Sequence, residues 1–180
     1  MRRICVFCGS HTGNDPSYEL LARDVAERIV TAGYGIVYGG GTIGLMGIVA
    51  DTALALGGDV VGVIPEALTR TEGAHQGLTQ LHVVGTMHER KALMERMSDA
   101  FVALPGGFGT MDEFCEMLTW RQLHIHDKPV GLVNHRGYYD ALLELFDSMV
   151  RTGFIDPEIR RLFVEAPSIE ELLSKMRLLR

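Results

Sequence analysis

The chain has 180 residues, 47% of them hydrophobic, with 17 basic and 23 acidic side chains for a net charge of −6. Such a length is about one domain's worth, residues 1–180, and buries roughly 70% of its unfolded surface without a disulfide or metal staple. The acidic balance argues against a nucleic-acid surface, no apolar run approaches the ~18 residues of a membrane span, and three cysteines make no complete disulfide set, which points to a reducing, cytoplasmic setting.

Apolar runs of strand length alternate with segments of helical period along the chain. Residues 3–8 (RICVFC) read as a buried strand too short in its apolar stretch for a signal peptide, and 16–31 as a helix with Leu20, Leu21, Val25 and Ile29 on one face. A short strand at 35–38 runs into a glycine-rich loop and a helix over 45–56, followed by a strand at 60–64. Residues 65–80 form the only long irregular stretch, before a strand at 81–84 and a helix over 87–97. A buried strand at 100–104 ends in Pro-Gly-Gly, and a long helix covers 110–123. A strand at 130–133, a helix over 138–151, a strand at 162–164 and a helix over 169–178 complete the series. This alternation predicts an α/β fold: a Rossmann-like, doubly wound, mainly parallel sheet with helices on both faces. Ligands of such sheets sit beyond the carboxyl ends of the strands.

Glycine is the compositional outlier, 21 of 180 residues or about 12% against roughly 7% in average usage. Two strand-to-helix loops collect seven of them. In the first, Gly39-Gly40-Gly41-Thr42-Ile43-Gly44, glycines bring backbone N–H groups close to an anion at a helix N-terminus. The spacing of Gly39, Gly41 and Gly44 also fits a dinucleotide fingerprint with Glu66 beyond it, but the run follows the second strand instead of the first. The second loop, Gly106-Gly107-Phe108-Gly109-Thr110-Met111-Asp112-Glu113, offers another phosphate cradle. Thr110 and Glu113 there have the spacing of a capping box, so Glu113 reads equally as a cap and as a catalyst. Arg90 and Lys91 precede this strand and helix, where a forked guanidinium would pair with Glu113 or with a phosphate. Cys5 and Cys8 form a CxxC, but a strand's period of two sends them to opposite faces, which makes them core thiols. His124, His126 and Asp127 look like metal ligands but diverge at a helix end, so no metal is expected; the methionines at 94, 97, 111 and 117 read as core filler.

These motifs resemble the Lonely Guy family of cytokinin riboside 5′-monophosphate phosphoribohydrolases, long labelled lysine decarboxylases. The family's PGGxGTxxE stands at Pro105 to Glu113, its MHxRKxxM at Met87 to Met94, and its glycine run before LMG at Gly39 to Gly47. The resemblance implies hydrolysis of the N-glycosidic bond of adenine-type nucleoside 5′-monophosphates, cytokinin nucleotides or AMP, with no cofactor. By position it makes Arg90 and Glu113 the catalytic pair. It places the nucleotide on Glu72, Lys91, Gly107, Phe108, Gly109, Thr110, Met111, Asp112 and Thr119, and Gly40, Gly41 and Thr42 join them from the first glycine loop. It further implies a homodimer or higher homo-oligomer. A non-catalytic nucleotide or dinucleotide carrier using the same loops is the competing reading.

The expected chemistry follows from the residue types. Breaking a glycosidic C–N bond builds oxocarbenium character that a fixed carboxylate stabilises. Arg90 is expected to keep that carboxylate ionised by opposite charge. A decarboxylase would need a Schiff-base lysine with supporting partners, and the three lysines, Lys91, Lys128 and Lys175, do not offer one.

Overall fold

The computed structural model describes residues 1–179. Seven strands form one all-parallel sheet: β1 (Arg3–Phe7), β2 (Gly35–Tyr38), β3 (Val60–Pro65), β4 (Gln80–Val84), β5 (Ala100–Ala103), β6 (Val130–Val133) and β7 (Phe163–Ala166). Their spatial order is β4-β3-β2-β1-β5-β6-β7. The chain winds outward from β1 to the β4 edge, then crosses back to β5 and winds the other way. The order therefore reverses between β1 and β5, where a crevice opens at the carboxyl ends of the strands.

One face of the sheet carries α1 (Ser17–Thr31), α2 (Gly44–Ala55) and α7 (Ile169–Lys175), and the other carries α3 (Met87–Arg96), α4 (Phe108–Gln122) and α5 (Asp140–Arg151), with the short α6 (Pro157–Arg160) beyond. β1 shows how the sequence builds this sandwich. Ile4, Val6 and Cys8 enter the first layer while Cys5 and Phe7 enter the second, so the CxxC thiols are on opposite faces. Each such fully buried aliphatic side chain contributes about 1.5–3 kcal/mol relative to exposure.

α1 buries Leu21, Ala22, Val25, Ala26 and Ile29, a stripe of helical period. Leu20, expected on that stripe, is 67% exposed, because the neighbouring Leu21 and Ala22 take the inward positions. The helix stops at Gly33, whose φ of +83° lets Gly33 N–H bond Val30 O and Tyr34 N–H bond Ile29 O. The irregular stretch between β3 and β4 is also ordered. A 3₁₀ turn (Glu66–Leu68) leads into a π turn (Thr69–Gly73), and Ala74 pairs with Gly41 in an isolated bridge.

Candidate active site

α3 opens with a capping box. Thr86 Oγ1 accepts from Glu89 N–H and Glu89 Oε2 accepts from Thr86 N–H, each at 3.1 Å. This fixes the first turn and carries Arg90 inward, leaving it 5% exposed instead of on a solvated face. Its Nε donates to Val63 O in the second half of β3 and its Nη2 to Gly39 O beyond β2, both at 3.1 Å. Gly39 is required for this passage: a Cβ there would lie 1.9 Å from Arg90 Nη2. The first glycine of the run thus makes room for a guanidinium.

Glu113 approaches from α4. Its Oε1 is 3.9 Å from Arg90 Nη2, and the residue is only 7% exposed. Burial pushes its carboxyl up to about 7; Arg90 opposes the shift, while Asp112 and Glu72 add to it. The expectation that Arg90 holds Glu113 ionised is therefore corrected. The guanidinium spends two of its nitrogens on backbone carbonyls and stands too far off to outweigh desolvation.

The second glycine loop differs from its expected form as well. α4 begins at Phe108 with Gly107 as its N-cap and no side-chain cap, two residues earlier than predicted. Thr110 and Glu113 form no capping box: Thr110 lies inside the first turn, where Gly106, lacking a Cβ, leaves space for its hydroxyl. Glu113 is free to face the cavity. N–H groups in the first turn of a helix lack intrahelical acceptors, and here they belong to Phe108, Gly109 and Thr110. Gly107, Phe108, Gly109 and Thr110 line a cavity of about 200 Å³ together with Arg90, Glu113 and Glu72.

Glu72 reaches this cavity from the π turn. Its Oε2 is buried without a hydrogen-bond partner among the described residues. Thr42 N–H donates to both Glu72 O and Gly73 O at 3.0 Å, and His75 N–H donates to Gly40 O at 3.0 Å. Gly40, Gly41 and Thr42 therefore underlie the strap that carries Glu72 and do not line the cavity. The His75 ring accepts from Gly77 N–H at Nδ1 and donates from Nε2 to Asp51 at 2.9 Å, pinning the far end of the strap to α2.

Other expected contacts lie elsewhere. Lys91 is buried between Asp112 and Glu116, 2.9 Å from each carboxylate, and ties α3 to α4. Met111 packs against the core of the second layer. Thr119 donates to Cys115 O and lines a separate groove with Leu118, Phe146 and Met149. His126 has both ring nitrogens engaged, one with Met117 O and one with Lys128 N–H, while His124 is exposed. Glu66, the acidic residue of the dinucleotide pattern, is exposed in the turn after β3.

Five lining residues went unassigned by sequence reasoning: Cys8, Ser10, Met46, Leu68 and Met87. A signal existed for Ser10, since it follows β1 at a strand's carboxyl end. The others are apolar and indistinguishable from core until the fold turns them inward. Ser10 and Gly107 also border a second cavity of about 240 Å³ at the crevice between β1 and β5.

The sequence profile of the family described as "Possible lysine decarboxylase" matches residues 46–176. "Probable cytokinin riboside 5'-monophosphate phosphoribohydrolase LOGL1" of Oryza sativa subsp. japonica is 53% identical over 174 residues, 97% of this chain and 78% of that protein. "Cytokinin riboside 5'-monophosphate phosphoribohydrolase LOG1" of Arabidopsis thaliana is 48% identical over 175 residues, 97% of this chain and 82% of that protein. Among solved structures, the molybdenum cofactor carrier protein of Chlamydomonas reinhardtii superposes with a TM-score of 0.72 at 20% identity, over 99% of this chain and 98% of that one. A molybdenum cofactor binding protein from Rippkaea orientalis gives 0.72 at 18% identity, over 98% and 96%. At those identities the structures show the shared fold alone. The family match over most of the chain and near-half identity to relatives over almost all of it show that the chain belongs to the Lonely Guy family.

Proposed function

We propose that this protein is a phosphoribohydrolase that cleaves the N-glycosidic bond of adenine-type nucleoside 5′-monophosphates, cytokinin nucleotides among them, to free base and ribose 5-phosphate. The observation that carries this is one cavity holding the free amides at the start of α4, the buried carboxyl of Glu113 and the locked guanidinium of Arg90. The identity to relatives named for this activity supports it.

The 5′-phosphate binds at Gly107, Gly109 and Thr110, where the helix field and its unpaired N–H groups favour an anion. This remote group anchors the sugar, so that binding energy orients the scissile bond. As the C–N bond lengthens, its electron pair leaves with the base, which takes up a proton. Ionised Glu113 stabilises the positive charge on C1′ or accepts a proton from the incoming water. Arg90 holds its place through backbone carbonyls and adds positive charge toward phosphate or sugar. None of the three lysines lines the cavity: Lys91 is bound to Asp112 and Glu116, Lys128 to Glu95 and Lys175 to Glu171, which leaves the decarboxylase label without a Schiff-base residue among the described residues.

The working form is a homodimer or a higher homo-oligomer. Leu123, Ile125, Leu145 and Phe154, on and just beyond α4 and α5, are each at least half exposed. A second copy would cover such apolar surface.

The test is incubation with AMP and with isopentenyladenosine monophosphate, followed by assay of ribose 5-phosphate. Release from the monophosphate and little from the dephosphorylated nucleoside is expected. Nucleotide binding without release from any monophosphate would leave the protein a carrier and end the enzymatic reading.

A further inference from the structure

At the amino ends of β6 and β7, remote from the carboxyl-end cavity, four basic residues from three segments border one pocket of about 160 Å³: Arg121, Arg161, and Lys175 with Arg177. Its floor is apolar, with Val130, Val164 and Met176 among its residues. So dense a cluster is unexpected in a chain of net charge −6.

Some of this charge has partners. Lys175 pairs with Glu171 at 2.8 Å and donates to Glu165 O, and Arg121 donates to Leu162 O at 2.7 Å with Asp127 nearby. The carboxyl ends of α4 and α7 face these cations with roughly half a negative charge each. Arg161 and Arg177 have no ion-pair partner among the described residues, so the pocket stays net positive.

Arg177 also stands where its residue type is disfavoured. It closes α7 with φ of +57°, in a motif where Arg177 N–H bonds Ser174 O and Leu178 N–H bonds Leu173 O, both at 2.9 Å. Glycine is the usual occupant of that position. An arginine there strains the backbone and borders the pocket.

We propose that this pocket binds a small, multiply charged phosphate: free pyrophosphate or the phosphate group of a small metabolite. Guanidinium forks match phosphate oxygens two at a time, and three of the four cations are arginines. The pocket, small and open to solvent, suits an anionic headgroup. The site is separate from the catalytic cavity and does not rest on the reading of that cavity.

The experiment is hydrogen exchange on the whole protein, titrated with pyrophosphate against sodium chloride at matched ionic strength. Saturable protection of residues 161–164 and 173–178 is expected, with a midpoint at least about tenfold weaker in Arg161→Ser and in Arg177→Gly. Arg177→Gly relieves the left-handed backbone, so its Tm should rise by about 2–4 °C while binding weakens; a merely structural arginine would not separate the two. Protection at 107–113 reports the catalytic cavity separately and should be unchanged in both variants. Inorganic phosphate should protect the same segments more weakly. Absence of protection at 161–164 and 173–178, equal midpoints in the variants, or equal protection by citrate would overturn the proposal.

Discussion

Glu113 is the residue on which stability and chemistry pull apart. Its carboxyl titrates at about 7 in the folded chain against an ordinary value of 4.5, with burial as the main cause. Between those pH values the folded state holds a proton that the unfolded state has lost, so stability falls as pH rises across that window, by about 3 kcal/mol once both are ionised. Glu113→Gln is always neutral. Its melting temperature should match wild type near pH 3.5 and exceed it by roughly 5–10 °C at pH 8.5, with ribose 5-phosphate release abolished and nucleotide binding kept. Equal melting curves at both pH values would show that the carboxyl is not desolvated. If the reaction uses ionised Glu113 as proposed, kcat/KM of wild type should climb with pH through about 7, the direction opposite to stability. Gly39 gives a second test at this scale. An alanine Cβ would fall 1.9 Å from Arg90 Nη2, so Gly39→Ala must displace the guanidinium. A loss of about 1–3 kcal/mol in urea unfolding and at least about 100-fold in kcat/KM is expected. Gly107→Ala, whose Cβ meets nothing within 4 Å, should unfold like wild type to within about 0.5 kcal/mol.

Among the elements, those with a strong period were legible and those defined by tertiary bonds were not. β2 and β6 have the predicted bounds because short β-branched runs, closed by glycine or proline, leave little choice. The start of α4 was missed because Thr110 and Glu113 carry capping-box spacing, yet Gly107 already takes the extended cap conformation and the helix runs through Phe108 and Gly109. The real box, Thr86 with Glu89, opens α3. The Glu72 strap shows no period because bonds to Gly40, Thr42 and Asp51 shape it, partners at least 24 residues away by number. The same bonds explain why the first glycine loop read as a phosphate cradle: its small residues were visible, whereas the strap and the arginine that fill the space were not. Since Arg90 N–H bonds Thr86 O, the α3 cap also supports the cavity that holds Arg90 and Glu113. Thr86→Ala should cost about 1 kcal/mol in thermal unfolding and lower kcat more than it raises KM. An unchanged Tm would show that the cap adds nothing beyond what α3 packing already supplies.

At the scale of the molecule, the reversal between β1 and β5 sets where every loop with a free backbone converges, and the two cavities meet there across Ser10 and Gly107. The rest of the surface has a different logic. Phe108, 96% exposed at the mouth of the Glu113 cavity, and Phe154, 85% exposed beyond α5, are costly to leave in water. Thr119, a nucleotide contact by family resemblance, opens into the groove beside α5, away from Glu113 of its own chain. A second copy seated on α4 and α5, as proposed, would cover the apolar surface and give that groove a neighbour. Light scattering should then return at least twice the chain mass of 19.8 kDa at micromolar concentration. Leu145→Glu places a charge on the half-exposed face of α5, away from both cavities, and should shift the mass toward that of one chain with secondary structure intact. If that monomer keeps full kcat/KM, the oligomer is a matter of stability alone; if activity falls with the mass and returns at high protein concentration, assembly is part of the catalytic unit. A wild-type mass of one chain would remove the second copy and leave Phe108, at the cavity mouth, to the substrate.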